Sequence, residues 1–309
     1  MFKIPTVLTA DKLLDKAFGR AQKIKKRDRK AERISKISSA KDTLDSTLQK
    51  YVSRFPSFDN LHRFYYELFD ILLGIDTLKK SLGAVDWGRK QINEIARHGI
   101  KEVKRQKDGN LVLRQTYGRI SSVLYQINNH LLFLERARKK LRKVPFIDMD
   151  KPTLIIAGYP NVGKSSLMRL ISTAEPTIAS YPFTTKEIIV GDMALEDKKG
   201  KRQIQIIEAP GLLDRPHEKR SAIERQGLIA LRYLSDLIVF IVDASLYCGY
   251  DLKSQLNLLK EIQSEFKGDI IAVENKADIG GGATDFLKIS CISGRGIEEL
   301  KKGIMARLS

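Results

Sequence analysis

Cysteine is nearly missing from the 309 residues. Cys248 and Cys291 stand far apart without a partner pattern, so no disulfide framework is indicated and a reducing compartment is the expectation. Long apolar runs are missing too. The longest, such as Leu237-Ile238-Val239-Phe240-Ile241-Val242, have the length of a strand and fall far short of the ~20 residues of a spanning helix. The start, Met1-Phe2-Lys3-Ile4-Pro5, carries no apolar stretch of the signal-peptide kind. These absences point to a soluble, cytoplasmic chain with no membrane partner. Histidine is sparse and scattered at His62, His98, His130 and His217, so neither zinc-finger spacing nor a histidine metal site is present. Between residues 8 and 150 proline occurs only at Pro56 and Pro145, which leaves that span free to be helical.

Acid is scarce in one half only. Residues 1–150 hold 33 Lys+Arg against 17 Asp+Glu, a net +16, leaving 22 and 20 for residues 151–309, a net +2. A fold needs no such asymmetry, whereas a polyanionic partner explains it. The basic residues cluster three times. Lys23, Lys25, Lys26, Arg27, Arg29, Lys30, Arg33 and Lys36 form one group, Lys101, Lys104, Arg105 and Lys107 a second, and Arg136 to Lys143 a third. Solvated helix faces would account for any one of them; three together with little acid favour nucleic acid.

The basic half reads as a bundle of helices. Ile120, Val123, Leu124, Ile127, Leu131 and Leu134 make the apolar face of one long helix, and residues 40–55, 59–73 and 76–106 give others. Phe64, Tyr65, Tyr66 and Phe69 are spaced for core packing rather than for stacking bases. Pro145 and Pro152 mark a boundary. The expectation is an all-α basic RNA-binding domain over residues 1–150 and an α/β domain over residues 151–309.

The second half opens with Gly158-Tyr159-Pro160-Asn161-Val162-Gly163-Lys164-Ser165-Ser166. This G-x-x-x-x-G-K-S spacing lies between the buried run Thr153–Ala157 and the helical apolar positions Leu167, Leu170 and Ile171. A strand, a glycine loop and a helix start together cradle a polyphosphate on backbone N–H groups. Lys164 would reach the β- and γ-phosphates, and Ser165 would place its hydroxyl on Mg²⁺. Alternating strands and helices follow, ending in a helix from Gly296 to Leu308, so the domain is a three-layer α/β fold with a mainly parallel sheet. At the end of one strand stands Asn275-Lys276-Ala277-Asp278. The Asp278 carboxylate can accept from both N1–H and the 2-amino group of guanine, and adenine offers neither donor. Lys276 can lay its stem along the base, and Asn275 can tie its loop to the phosphate loop. The nucleotide expected is GTP or GDP.

The order of these motifs, with Thr184-Thr185, Glu208-Ala209-Pro210-Gly211 and Ser290-Cys291, resembles that of translation-factor-type P-loop GTPases. Tyr181-Pro182-Phe183-Thr184-Thr185 and the phosphate loop look like the Obg-like branch. Leu212-Leu213-Asp214-Arg215-Pro216, Cys248-Gly249-Tyr250-Asp251-Leu252 and Phe58-Asp59-Asn60-Leu61-His62-Arg63-Phe64-Tyr65 look like the nucleolar GTP-binding protein one family. The resemblance covers nearly the whole chain. It implies a GTPase that binds ribosomal RNA in the pre-ribosomal particle of the large subunit. The chain stops at Ser309, without the C-terminal extension of eukaryotic members, and so is similar to a short archaeal form. Nothing in the sequence sets an oligomeric state.

The resemblance also assigns the switch. Thr185 rather than Thr184 would join Ser165 on Mg²⁺ in the GTP state, and Gly211 would be among the nucleotide-binding residues. Three departures qualify it. Glu208 stands where the family has Asp and would hold Mg²⁺ through a water. Leu212 follows Gly211 where many GTPases carry a water-orienting Gln, so intrinsic hydrolysis is expected to be slow. Asn161 resembles a K⁺ ligand of related GTPases, and the K⁺ held there would supply the missing transition-state charge beside Lys164 and Thr185. Finally, Ile279 to Asp285 is too short for the usual crossover helix, so either a glycine loop spans the gap or the last strand is displaced. Glu208 and Leu212 also support an alternative, an RNA module that binds nucleotide with little or no hydrolysis. A signal-recognition-type targeting GTPase fits less well, because its T-K-x-D pattern does not match Asn275.

Overall fold

The computed structural model describes residues 4–308 apart from 59, 106–107, 145, 180, 182–186, 198–199, 211–212, 217, 219, 222–223, 225–227, 229–230, 267 and 281. The chain divides into two compact units, Met1–Leu61 with Leu72–Arg142 and His62–Ile71 with Lys143–Ser309. Residues 62–71 thus group with the second compact unit.

The first unit is helical: α1 (Ala10–Gln22), α2 (Arg29–Arg54), α4 (Ile75–Arg105), α5 (Gly109–Gln126) and α6 (Asn128–Leu141), with α3 (Arg63–Leu73) between α2 and α4 in sequence. Asp28 caps α2 by accepting from the N–H groups of Lys30 (2.8 Å) and Ala31 (3.3 Å). Asp108 caps α5 through Asn110 and Leu111. Each cap satisfies donors that a helix start leaves open. Helix α4 packs along α2, α5 and α6, and Ile37, Ala96, Val103 and Val112 are buried together between them. At Gly99 the approach is so close that a Cβ would lie 2.4 Å from Thr116 Oγ1.

The single long helix expected through residues 120–134 is two helices. Ile127 breaks it with φ −91° and ψ 1°. The apolar stripe stays buried on both sides of the break, which is why periodicity alone did not reveal it. The break also gives Asn128 a role, since its Oδ1 accepts from Ala10 N–H (2.9 Å) at the start of α1.

In the second unit, the Tyr65 hydroxyl donates to Ile147 O (3.2 Å) and accepts from Ile147 N–H (2.9 Å). Phe64, Tyr65 and Phe69 are buried, which places these three in a core, whereas Tyr66 of the same group turns to the surface. The sheet contains β1 (Thr153–Ala157), β2 (Thr177–Ala179), β3 (Ile188–Asp197), β4 (Gly200–Glu208), β5 (Leu237–Val242), β6 (Asp269–Glu274) and β7 (Leu287–Lys288). Their order is β2-β3-β4-β1-β5-β6-β7. The pairs β4–β1, β1–β5, β5–β6 and β6–β7 are parallel, and β2–β3–β4 is an antiparallel edge. Strands β1 and β5 are buried at every position, as continuous apolar runs in a covered parallel sheet must be. Helices α7 (Lys164–Ile171), α8 (Leu252–Glu265) and α9 (Ile297–Leu308) pack on it. Strand β2 was not expected from its three residues. The chain leaves β1 toward β4 on one side and later returns to β5 on the other, so a switch point lies at the carboxyl end of β1, where open α/β sheets bind ligands. Among the described residues between β6 and β7 there is no helix, and β7 pairs in parallel register, Val273 with Leu287.

Candidate nucleotide-binding site

Four loops meet at the carboxyl ends of β1, β5, β6 and β7. The loop after β1 turns on two left-handed glycines, Gly158 (φ 137°) and Gly163 (φ 106°), and Asn161 also has positive φ (63°). Gly163 has no room for a side chain, because a Cβ there would sit 2.2 Å from Asn275 Nδ2. That amide donates to Val162 O (2.8 Å), while Asn275 Oδ1 accepts from Cys291 N–H (3.2 Å). One buried side chain thus fastens the loops after β1, β6 and β7 to each other. Ser290, fully buried, accepts from the N–H groups of Ile292 and Ser293 and shapes the last of them.

Lys164, in the first turn of α7, is buried and donates to the carbonyls of Gly158 (2.9 Å) and Tyr159 (2.8 Å). Tyr159 is buried with its ring 4.5 Å from that of Tyr250. Pro160, Val162 and Ser166 complete the loop; Asn161 is exposed and Val162 buried. The Ser165 hydroxyl donates to Glu208, 2.8 Å from Oε2 and 3.1 Å from Oε1. Asp278 is exposed at the rim, and its carboxylate has no hydrogen-bond partner among the described residues. Thr184, Thr185, Gly211 and Leu212 lie outside the described residues. Burial pushes the Cys291 thiol up to about 11, opposed by a hydrogen bond with Asn275 and reinforced by the charge of Asp278.

Three residues that sequence reasoning missed organise the rim. Asp243, fully buried just past β5, receives Lys276 Nζ (2.7 Å), the N–H groups of Ser245 (3.0 Å) and Cys248 (2.8 Å), and the Ser245 hydroxyl. Burial works to raise its carboxyl, but the hydrogen bonds from Lys276 and Ser245 outweigh it and hold the group below the ordinary carboxylate value. Gln255 of α8 bonds both backbone groups of Asp243. Glu274 closes β6 and is treated below. The signal was an acid ending a buried apolar run, where a charge must have a partner.

Comparison with known proteins gives this geometry its family. Residues 2–148 match the family model described as the NOG1 N-terminal helical domain, and residues 153–276 that described as the 50S ribosome-binding GTPase. Nucleolar GTP-binding protein 1 of Saccharomyces cerevisiae is 32% identical over 289 residues, 89% of this chain and 44% of that protein. The chain belongs to the nucleolar GTP-binding protein 1 family. An uncharacterized protein of Methanocaldococcus jannaschii is 40% identical over 291 residues, 90% of this chain and 80% of its own length. A Plasmodium falciparum protein crystallised under the family's name is 33% identical and superposes with a TM-score of 0.47, covering 53% of this chain and 90% of that one. This chain spans less than half the length of the curated nucleolar GTP-binding proteins it matches.

In this chain an all-helical N-terminal domain is followed by a P-loop GTPase domain with a mostly parallel sheet. The residues present fit a hard divalent ion. Ser165 and Glu208 bring a hydroxyl and a carboxylate together, and the carboxylate is buried with the Ser165 hydroxyl as its hydrogen-bond partner among the described residues. A buried anion so placed is well matched to Mg²⁺, which prefers oxygen ligands. Among the described residues no helix is long and apolar enough to cross a membrane.

Proposed function

We propose that this protein is a GTP-switched assembly factor of the large ribosomal subunit that grips ribosomal RNA through its basic helices. The observation that carries the nucleotide half is the Asn275 side chain. By fastening the phosphate loop to the base loop it sets Lys164, Ser165, Lys276 and Asp278 in one frame. In this reading Lys164 contacts the β- and γ-phosphates, Ser165 ligates Mg²⁺ with Thr185 in the GTP state, and Glu208 holds a water of the ion. In the same reading Gly211 is a nucleotide contact, and Ser290 and Cys291 border the base. Mg²⁺ supplies charge neutralisation across the phosphates. Leu212 cannot orient water, so turnover without an activator is slow, and Asn161 recruits K⁺ to stand in for transition-state charge.

The RNA half rests on how the first unit arranges its cations. The start of α2 and the end of α4 come together, with Lys30 Nζ donating to Lys104 O. Arg33 Nε reaches Asn110 Oδ1 at the start of α5 (2.9 Å). Two of the three basic clusters therefore share one end of the helical unit. The third is partly spent inside the fold, because Arg138 is buried against Glu135 (2.6 Å). The description of the model matching residues 153–276, a 50S ribosome-binding GTPase, supports the large subunit as the partner.

Asp278→Asn tests the base assignment: GTP binding should be lost and xanthosine triphosphate binding gained, and unchanged GTP affinity would overturn it. Turnover in K⁺ against Na⁺, with and without large-subunit RNA, tests the enzyme. Absence of turnover in every condition would leave the second reading, an RNA module with a non-hydrolysing G domain, which Glu208 and Leu212 favour.

A further inference from the structure

The base loop has to be held without the helix that usually separates two parallel neighbours. Its first part is well tied. Asn275 N–H donates to Val242 O (2.8 Å), Ala277 N–H to Ile289 O (3.1 Å) and Ile279 N–H to Lys276 O (3.1 Å), and Lys276 is paired with Asp243. The loop then passes Gly280 (φ 153°) and Gly282 (φ 98°), where glycine gives the chain its widest conformational range. Something must fix the return, or Asp278 is carried on a segment anchored at one side.

Glu274 is placed to do this. It is fully buried as the last residue of β6, in register with Val242 of β5 and Lys288 of β7. Its carboxylate turns out of the ladder into the loop. Oε1 accepts from Gly282 N–H, and Oε2 accepts from Thr284 N–H (3.2 Å) and from the Thr284 hydroxyl (2.6 Å). Lys288 closes the arrangement by donating to Thr284 O (2.7 Å). An ionised carboxylate accepting two backbone N–H groups and a hydroxyl is a strong clamp, because charge-assisted bonds are roughly twice as strong as neutral ones. Hydrogen bonds here also keep the Glu274 carboxyl ionised, against the opposing effect of its burial.

We infer that Glu274 is a positioning residue for guanine recognition: by clamping Gly282 and Thr284 it stands in for the absent crossover helix and aims Asp278 at the base. This rests on the reading of Asp278 as the base contact. The residue touches no part of the nucleotide, so its effect should fall on base discrimination and not on phosphate binding.

The test compares GDP with IDP, which lacks the 2-amino group, by competition against a fluorescent GDP analogue on the full chain. In the wild type IDP should bind about tenfold or more weakly, the scale of one hydrogen bond to a charged group. Equal affinities there would sink the Asp278 reading itself. Given a wild-type preference, Glu274→Gln should weaken GDP about tenfold while changing IDP little, so the preference falls toward one. Thr284→Val, a milder change at the loop, should lower it in the same direction and decides the matter if Glu274→Gln fails to fold. A general loss of stability would weaken both nucleotides alike. A preference kept at the wild-type ratio in the folded variants would overturn the proposal.

Discussion

Ser165 and Glu208 show how much one side-chain length can carry. The sequence placed both near the metal and left open whether Glu, one methylene longer than the family's Asp, could do that work. In the structure both carboxylate oxygens lie within hydrogen-bond reach of the Ser165 hydroxyl, so the longer side chain does reach the residue proposed to hold the ion. On the proposed reading Ser165→Ala takes away a metal ligand, and it leaves the buried Glu208 without the donor it has among the described residues. Magnesium affinity should fall ~10–100-fold, as when a ligand set is disturbed, and stability by about 1–3 kcal/mol for the unsatisfied carboxylate. Release of a fluorescent GDP analogue with and without Mg²⁺ measures the first: Mg²⁺ should slow release from the wild type and not from the variant. Equal slowing in both would remove Ser165 from the metal. The residue types proposed to face the phosphates were legible because their spacing is local. Asp243 and Glu274 were not, since each acts on a loop that the sheet brings to it from 33 and from 8 to 10 residues away.

At the scale of elements, legibility followed the strength of the pattern. Strands β1 and β5, buried throughout, were plain as apolar runs, and α4 was plain as a long periodic stretch. The break at Ile127 was hidden because a helix that bends without changing its buried face leaves no mark in a 3.6-residue period. Strand β2 was hidden because three residues carry no period at all. The close crossing of α4 with α5 was likewise invisible, since a glycine in a helix reads only as a weak former. Its consequence is testable by contrast. Gly99→Ala places a methyl 2.4 Å from Thr116 Oγ1 and should cost about 1–3 kcal/mol through overpacking. Gly83→Ala, in the same helix with nothing within 4 Å, should instead stabilise by about 0.5–1 kcal/mol. Denaturant unfolding of both variants reads the difference, and a like sign for the two would remove close packing as the reason for Gly99.

For the whole molecule the question is what the +16 half does. A bundle stabilised by buried Leu, Ile and Ala has no need of that charge, and self-repulsion works against compactness. The second compact unit takes residues 62–71 out of the helical half, where Tyr65 bonds Ile147 and Arg63 lies 4.9 Å over the Tyr233 ring. A fragment ending at residue 150 would keep Ile147 but take the Tyr233 ring away from Arg63 and separate residues 62–71 from most of their compact unit, so RNA binding belongs in an experiment on the full chain. If Lys101, Lys104 and Arg105, all exposed at the end of α4, neutralise phosphates beside the start of α2, affinity for a large-subunit RNA fragment should fall linearly in a plot of log affinity against log salt. Replacing the three by Gln should shallow that slope by about 2–3, since each phosphate neutralised contributes roughly 0.7–0.9. Replacing Lys301, Lys302 and Arg307 on α9, from the half that is nearly neutral, should leave the slope where it was. A fall of equal size from both triple variants would mean that only total charge counts, and that gathering two basic clusters at one end of the helical unit does not create the RNA-binding surface.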